Sequence, residues 1–168
     1  FQFNRISDLG GLTRYATSSV TSDNAAGGRL AAELLVARGY ERIAFLAGLE
    51  DSSTSLERER GFTEALIDRG SSLAYRDNGH YSFQGAQDAV RRLFDRADRP
   101  DALFVANDHM AIAAMDVLRQ ELGLQVPDEV GIVGFDDVPQ AAWGACQLTT
   151  VSQRVQPMVD ATVALLLE

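Results

Sequence analysis

The sequence predicts an α/β fold built on a parallel sheet with helices on both faces. Short runs of β-branched, aromatic and aliphatic residues alternate along the 168 residues with longer amphipathic stretches of helical period. This alternation is typical of strands that run in one direction and are joined through helices. Gly and Pro residues mark many of the points where one segment gives way to the next.

The first half of the chain is predicted to hold two helices and two strands. They are a helix over 23–38, a strand over 42–48, a helix over 56–69 and a strand over 73–75. Each helix carries apolar residues on one face and ends at a glycine, Gly39 or Gly70. The strand over 42–48 is almost wholly apolar, which predicts burial on both faces of the sheet.

The second half continues the same alternation. The predicted elements are a helix that Ser82 caps, a strand over 102–106, a helix over 108–122, a strand over 130–134, a strand over 148–151 and a last helix with Pro157 in its first turn. Ser is a favoured N-cap, and Pro is favoured in a first turn, where no backbone N–H is needed. Asn107 and Asp108 follow the strand over 102–106 directly, and Asp108 is predicted to cap the helix that they open.

Composition excludes several classes of function for this chain. The formal net charge is −9, and the 15 basic residues are scattered, so the chain offers no basic stripe for DNA. All 15 are arginine, which removes the lysine of a phosphate-binding loop, of a Schiff base or of a general base. No apolar run is long enough for a membrane helix, and the first residues lack the features of a signal peptide.

Potential metal ligands and thiols are sparse. Cys146 is the single cysteine, and His80 and His109 are the only histidines. No spacing therefore offers the three or four ligands of a zinc site, and no disulfide can form within the chain. We interpret Cys146 as a small apolar residue, and a reducing cytoplasm suits this cysteine usage.

Polar residues with short side chains follow four of the predicted strands. In an open parallel sheet the ligand lies beyond the carboxyl ends of the strands, so these positions carry most weight. They are residues 49–55, 107–108, 136–137 and 152–153. Hydroxyl, amide and carboxylate groups at one edge can make directional hydrogen bonds to a polyol or an amide ligand.

Two interpretations compete at Asp136 and Asp137. The pair suits a turn ahead of Pro139, and two carboxylates could also bind Mg²⁺ or act in acid-base catalysis. The usual partners of such chemistry are missing: a lysine, a histidine nearby in sequence and a glycine-rich phosphate loop. We therefore predict no catalytic residue, no metal site and no cofactor.

Arg58, Tyr81 and Trp143 also admit two interpretations. Arg58 fits a solvated helix face with charged neighbours, but it also lies on the first turn of a helix, aimed at the edge that holds Asn107 and Asp136. Tyr81 and Trp143 are loop aromatics, which cover a local core more often than they stack on a sugar ring. The pattern alone favours the solvated helix face for Arg58 and the covering of a local core for Tyr81 and Trp143.

Six motifs occur along the chain in a fixed order. They are SVTSDN at 19–24 leading into GRLAA at 28–32, GYERIAFLAG at 39–48, RERGF at 58–62, PDALFVAND at 100–108, VPDEVGIVGFDD at 126–137 and LTTV at 148–151. Each motif alone is weak. Their order and spacing over essentially the whole chain resemble the lactose-repressor (LacI/GalR) family of bacterial transcription regulators.

The resemblance implies a periplasmic-binding-protein-like type I architecture, in which two doubly wound parallel-sheet lobes close on a small effector. Residues 1–39 and 148–168 would form part of the N-terminal lobe, and residues 40–147 the C-terminal lobe. Both ends look cut. The N-terminal lobe is expected to be incomplete, because its first strands and helices, the final strand, the hinge helix and the DNA-binding headpiece of the family have no counterpart in this sequence.

The resemblance also implies the effector-binding residues. They are Arg58, Asn107, Asp136, Thr54, Tyr81 and Gln153. Ala26 stands where some sugar-binding members of the family have a contact residue. As polar residues at the rim of a cleft, Arg58 and Asp136 are expected to change stability by about 1 kcal/mol or less when replaced, and effector affinity by about 2–4 kcal/mol.

The function implied is that of a cytoplasmic sensor of a sugar or related polyol within a transcription regulator. Such a protein works as a homodimer, to which the helix with Met110, Ile112 and Met115 is expected to contribute. It reaches operator DNA only through an N-terminal headpiece, and no membrane partner is implied. A sugar-binding protein of a transport system shares the architecture and stays an alternative, and a small Mg²⁺-dependent α/β enzyme is a weaker one.

Overall fold

The computed structural model describes residues 2–3 and 19–167, which alternate between strands and helices. The elements in chain order are β1 (Gln2–Phe3), β2 (Ser19–Val20), α1 (Asn24–Ala37), β3 (Ile43–Ala47), α2 (Ser53–Asp68), β4 (Tyr75–Asn78), α3 (Phe83–Phe94), β5 (Ala102–Val105), α4 (Asp108–Asp116), β6 (Gly131–Asp136), β7 (Thr149–Ser152) and α5 (Val155–Leu167). A π-helical turn, Val117–Glu121, continues α4, and a short 3-10 helix, Pro139–Ala142, follows β6. The predicted alternation is confirmed, with boundaries that move by a few residues.

The strands form two parallel sheets. The main sheet has the order β4-β3-β5-β6-β7, and β1 pairs separately with β2. In the main sheet Phe45 of β3 lies beside Phe104 of β5, and Phe135 of β6 beside Val151 of β7. The chain adds β4 on one side of β3 and adds β5, β6 and β7 on the other side. The loops that follow β3 and β5 therefore lead to opposite sides of the sheet and leave a crevice at its carboxyl edge.

The central strands are buried on both faces. β3 and β5 consist of buried apolar residues, because α1 and α2 cover one face of the sheet while α3 and α4 cover the other. Phe62 of α2 packs on Phe104, with ring centroids 4.7 Å apart. β7 is an edge strand and is more exposed.

Two glycines allow α1 and α2 to touch. A Cβ added at Gly28 would overlap the carbonyl oxygen of Arg58, and one at Gly61 would overlap the carbonyl oxygen of Ala25. Only a residue without a side chain fits at either position, so the two backbones cross in contact. This crossing brings the first turn of α1, with Asn24, against Arg58.

The expected lobe boundaries at residues 39 and 148 stay a prediction, although elements on either side of each boundary pack together. α1 packs along α2, and β7 extends the main sheet by pairing with β6. The physical reason is that the buried face of α1, with Ala31 and Leu35, and the register of β7 both complete the core of this sheet. α5 leaves the sheet and contacts β2. Residues 4–18 of the expected N-terminal lobe lie outside the described residues.

Two local expectations are corrected. Asn107, rather than Asp108, caps α4, because its side-chain oxygen accepts a hydrogen bond from the Met110 N–H at 2.9 Å. Met110 and Met115 are buried in the core, so they are closed to a dimer interface. Ile112 is the one of the three apolar residues that is partly exposed.

Candidate functional site

Arg58 lies at the centre of the candidate site. It sits early in α2, and its side chain is 3% exposed. Nε donates to Asn24 Oδ1 at 2.9 Å, and Nη1 donates to the carbonyl oxygen of Ala106 across the crevice. Nη1 also lies 3.5 Å from Asp136 Oδ1. The contacts of this one side chain therefore join α1 and α2 to the ends of β5 and β6.

The guanidinium of Arg58 also stacks on an aromatic ring. Its Cζ lies 3.6 Å from the ring centroid of Phe135, and Gly27 packs so closely on this ring that a Cβ would overlap it. A charge taken out of water needs such partners. The burial excludes the interpretation of Arg58 as a solvated surface residue, and the expectation that Arg58 lies at the rim of a cleft is wrong.

Asp136 ends β6 in a backbone conformation that residues with side chains rarely adopt. Its φ is 123°, and the φ of Asp137 is 62°. The Asp136 carboxylate accepts a short hydrogen bond from Gln153 Nε2, and its side chain is 27% exposed. The turn therefore directs this carboxylate toward Arg58 and Gln153 while leaving part of it open.

Burial shifts the pKa values of Asp136 and Arg58 in opposite directions, because it disfavours the charged form of each. It raises the pKa of Asp136, against the attraction of Arg58 and the hydrogen bond from Gln153. It lowers the pKa of Arg58, against the attraction of Asp136. A guanidinium keeps its proton in proteins. Asp136 is therefore the member of the pair whose charge responds to pH.

Gln153 joins two segments that are far apart in sequence. Its Oε1 accepts a hydrogen bond from Ser22 Oγ at 2.6 Å, while its Nε2 donates to Asp136. Ser22 precedes α1, and Gln153 follows β7. Asn24 Nδ2 donates to the carbonyl oxygen of Ser22 at 3.1 Å, which closes a ring of polar contacts. The members of this ring are Arg58, Asn24, Ser22, Gln153 and Asp136.

Thr54 and Tyr81 form a second polar group, at the loops that follow β3 and β4. Thr54 Oγ1 lies 3.2 Å from the Tyr81 hydroxyl and 2.9 Å from Ser52 Oγ. The Tyr81 ring packs on Gly48 so closely that a Cβ there would overlap it. Tyr81 is also near enough to Arg58 for the two side chains to interact electrostatically. This second group therefore borders the first.

Asn107 and Asp108 have different roles at the end of β5. Asn107 borders the crevice, and only its oxygen is used by the helix cap. Asp108 is fully buried and accepts hydrogen bonds from Thr150 Oγ1 at 2.6 Å and from the Val138 N–H at 2.9 Å. Burial raises the pKa of Asp108. Asp108 therefore holds the end of β5 to β7 and to the loop after β6.

Five of the six predicted site residues take part in these two groups. Arg58 and Gln153 both contact Asp136, and Thr54 contacts Tyr81. The sixth is Asn107, for which no hydrogen bond to the other five is found among the described residues.

Sequence reasoning did not select Ser22 and Asn24. Both follow a strand, so the rule that selected the other positions applies to them as well. That strand, β2, has only two residues, too few to give a recognisable apolar run.

A cavity of about 330 Å³ opens beside Asp136 and Gln153. Apolar side chains complete its wall, among them Val138 and, from α5, Met158. Small-molecule sites have volumes of roughly 300–1,000 Å³ and combine apolar walls with a few polar groups. The cavity has both properties.

The described part of the chain contains neither a metal-binding cluster nor a membrane-spanning helix. Within residues 2–3 and 19–167, no three His, Cys, Asp or Glu side chains are grouped so that they could hold a metal ion. No helix in that part of the chain has the length and apolar character needed to cross a bilayer. Cys146 is a buried free thiol.

Comparison with known sequences establishes the family. The pattern of the periplasmic binding protein-like domain matches residues 32–168. The chain belongs to this family. The proteins similar to it are transcription regulators of the lactose-repressor family, so the resemblance carried by the six motifs is confirmed.

Two curated relatives show the extent of the match. The HTH-type transcriptional regulator CelR of Thermobifida fusca is 37% identical over 152 residues, which are 88% of this chain and 44% of that regulator. The ribose operon repressor of Escherichia coli K12 is 34% identical over 139 residues, which are 81% of this chain and 42% of the repressor. The chain thus spans less than half the length of these relatives.

Solved structures agree with the sequence relatives. A complex of the transcriptional regulator CelR with cellobiose superposes with a TM-score of 0.86 and 35% identity, covering 96% of this chain and 50% of that chain. The lac repressor dimer bound to operator and the anti-inducer ONPF gives a TM-score of 0.84 and 30% identity, covering 89% of this chain and 52% of that chain. These relatives are regulators, not enzymes.

Proposed function

We propose that this chain is the effector-binding domain of a transcription regulator that senses a sugar or a related polyol. The observation that carries the proposal is the buried contact of Arg58 with Asp136, beside a cavity at the carboxyl edge of the sheet. Open α/β sheets bind ligands at this edge. The relative solved with cellobiose supports a sugar as the class of ligand.

The available groups suit hydroxyls, which both donate and accept hydrogen bonds. The Asp136 carboxylate can accept from a ligand hydroxyl, while the Asn107 amide and the Arg58 guanidinium can donate to one. Gln153, Thr54 and Tyr81 add amide and hydroxyl groups around the same edge. Such fixed groups favour one arrangement of hydroxyls, because a misplaced hydroxyl leaves a buried partner unpaired.

We further propose that the regulator is a cytoplasmic homodimer that reaches operator DNA through a headpiece outside this sequence. A ligand that binds one relative orientation of the two lobes more tightly shifts the protein toward that orientation. The lac repressor, solved as a dimer on its operator, supports this arrangement. Sedimentation tests the assembly, and a monomer at high micromolar concentration would contradict a homodimer of this chain.

A thermal-shift screen followed by calorimetry tests the ligand. The panel contains cellobiose, ribose, other mono- and disaccharides, and polyols. A ligand at 100 times its Kd stabilises the folded chain by about 2.7 kcal/mol, which gives a clear rise in melting temperature. Asp136→Asn should reduce the rise to about a third or less. Arg60 lies in α2, two residues after Arg58, but its side chain is 61% exposed, so Arg60→Ala should keep the rise.

Two results would overturn the proposal. One is a panel in which no sugar or polyol stabilises the chain. The other is stabilisation by Mg²⁺ without any sugar, which would favour the enzyme alternative.

A further inference from the structure

Tyr81 is held by a backbone that side chains disfavour. His80 and Tyr81 both have a φ of 54°, in the left-handed region that suits glycine. Two such residues in succession persist only where their surroundings fix them. The loop nevertheless places the Tyr81 ring against Gly48, with the hydroxyl 3.2 Å from Thr54 Oγ1.

Asn78 supplies one of the contacts that fix this loop. It ends β4, is 9% exposed and uses both ends of its amide. Oδ1 accepts the His80 N–H at 2.6 Å, and Nδ2 donates to Glu50 Oε1 at 2.7 Å. Asn78 therefore links the loop that carries Tyr81 to the loop after β3.

Glu50 is itself held by ion pairs. Arg76 donates to both of its carboxylate oxygens, at 2.9 and 2.7 Å, and to Glu59 of α2 at 2.6 Å. The hydrogen bonds from Arg76, and then the one from Asn78, lower the pKa of Glu50 to about 2. Glu50 is therefore charged at neutral pH and remains an acceptor for Asn78.

We propose that Asn78 and Glu50 are positioning residues of the effector site, which hold Tyr81 against Gly48 and Thr54. The inference rests on the proposed function, in which Tyr81 contacts the effector. Exposed ion pairs contribute little to stability by themselves. The contacts of Asn78 and Glu50 therefore matter more for the position of the Tyr81 loop than for the stability of the fold.

Three variants separate positioning from stability. Asn78→Asp keeps an acceptor for the His80 N–H but sets a second carboxylate against Glu50. Glu50→Gln removes the carboxylate that accepts from Asn78. The double variant restores an amide–carboxylate pair with the roles exchanged, and only a direct contact between the two positions predicts that rescue.

The first measurement is structural. We follow hydrogen exchange of the His80 amide by NMR, together with the nuclear Overhauser effect between the Tyr81 ring and Gly48. Asn78→Asp should speed the exchange about tenfold and weaken the Overhauser effect, and the double variant should recover both. Glu121→Gln breaks a comparable pair with Arg91, 2.7 Å long, on another surface, and should change neither.

The second measurement is calorimetry with cellobiose. Asn78→Asp should weaken binding by about five- to tenfold while the melting temperature barely moves, and the double variant should recover the affinity. If the unmodified chain binds no cellobiose, cellobiose is not its ligand, and the exchange and Overhauser measurements still decide the positioning role. Unchanged exchange and Overhauser effect in Asn78→Asp, or a double variant no better than the single one, would overturn the inference.

Discussion

The candidate site combines two groups that the molecule holds in different ways. The inner group is Arg58, Asp136 and Gln153, whose members bond to one another between helices and strand ends. The outer group is Thr54, Tyr81 and Asn78, which lie in or beside the loops after β3 and β4.

The two groups differ in what fixes them. The inner group is part of the packing, because Arg58 is buried among α1, α2 and two strand ends. The outer group depends on a strained loop and on ion pairs that reach the surface. We therefore expect removal of the inner cation to damage folding as well as binding. Changes in the outer group should damage binding alone.

The largest effect is expected for Arg58→Ala. The substitution leaves Asp136 without its cation and Asn24 without its donor, and breaking a buried pair costs about 3–5 kcal/mol of unfolding free energy. Chemical denaturation measures the loss. Arg60→Ala is the control, because its partner Glu64 lies 3.8 Å away on an exposed helix face, and it should change stability by under about 0.5 kcal/mol. If Arg58→Ala lowered the unfolding free energy as little as Arg60→Ala, the inner group would not be part of the packing.

Asp136→Asn should affect binding more than folding. The amide oxygen of Asn can still accept from Arg58 and Gln153, and burial already disfavours the charged carboxylate. The unfolding free energy should therefore fall by less than in Arg58→Ala, by about 1 kcal/mol. Loss of the acceptor for a ligand hydroxyl should reduce sugar affinity by about 2–4 kcal/mol, or roughly 30- to 1,000-fold. Calorimetry with a sugar found in the screen measures this difference. Unchanged affinity would remove Asp136 from the site.

The raised pKa of Asp136 predicts a pH dependence with a defined sign. Acidification through that raised pKa, which lies above the ordinary 3.8, should weaken sugar binding because the carboxylate is lost as an acceptor. The contribution of this group to stability runs the other way. It is fully present below pH 3.8 and is lost as the pH rises through the raised pKa. Titrations of the chain and of Asp136→Asn at matched pH values test both signs, and the variant should lack both components.

The smallest effect is expected for Tyr81→Phe. The ring and its contact with Gly48 remain, and one half-exposed hydrogen bond to Thr54 is lost. The melting temperature should therefore barely change, and sugar affinity should fall by about 1 kcal/mol. A drop in stability as large as that of Arg58→Ala would erase the distinction between the two groups.

The sequence predicted most of the strands and part of the candidate site. Apolar runs predicted β3, β5 and β6 well, because strands buried on both faces admit little else. The strand-end rule selected Asp136 and Gln153, since the carboxyl ends of parallel strands meet at one edge. Both predictions depend on local patterns that any chain of this class must show.

The burial of Arg58 could not be predicted in the same way. Its neighbours in sequence, Glu57 and Glu59, resemble a solvated helix face, and the groups that bury it come from α1, β5 and β6. Asn107 and Asp108 are both good N-caps, so the sequence pattern alone does not distinguish them as the cap of α4. The choice depends on Thr150, a partner of Asp108 that lies far away in sequence.

The contact between Gly28 and Gly61 has a consequence for genetics. Neither residue has a side chain that could touch a sugar, yet any side chain at either position would force α1 away from α2. Asn24 would then move off Arg58. A screen for variants that have lost their response should therefore return both glycines beside the polar residues of the site. The least tolerant positions would then lie where α1 and α2 meet.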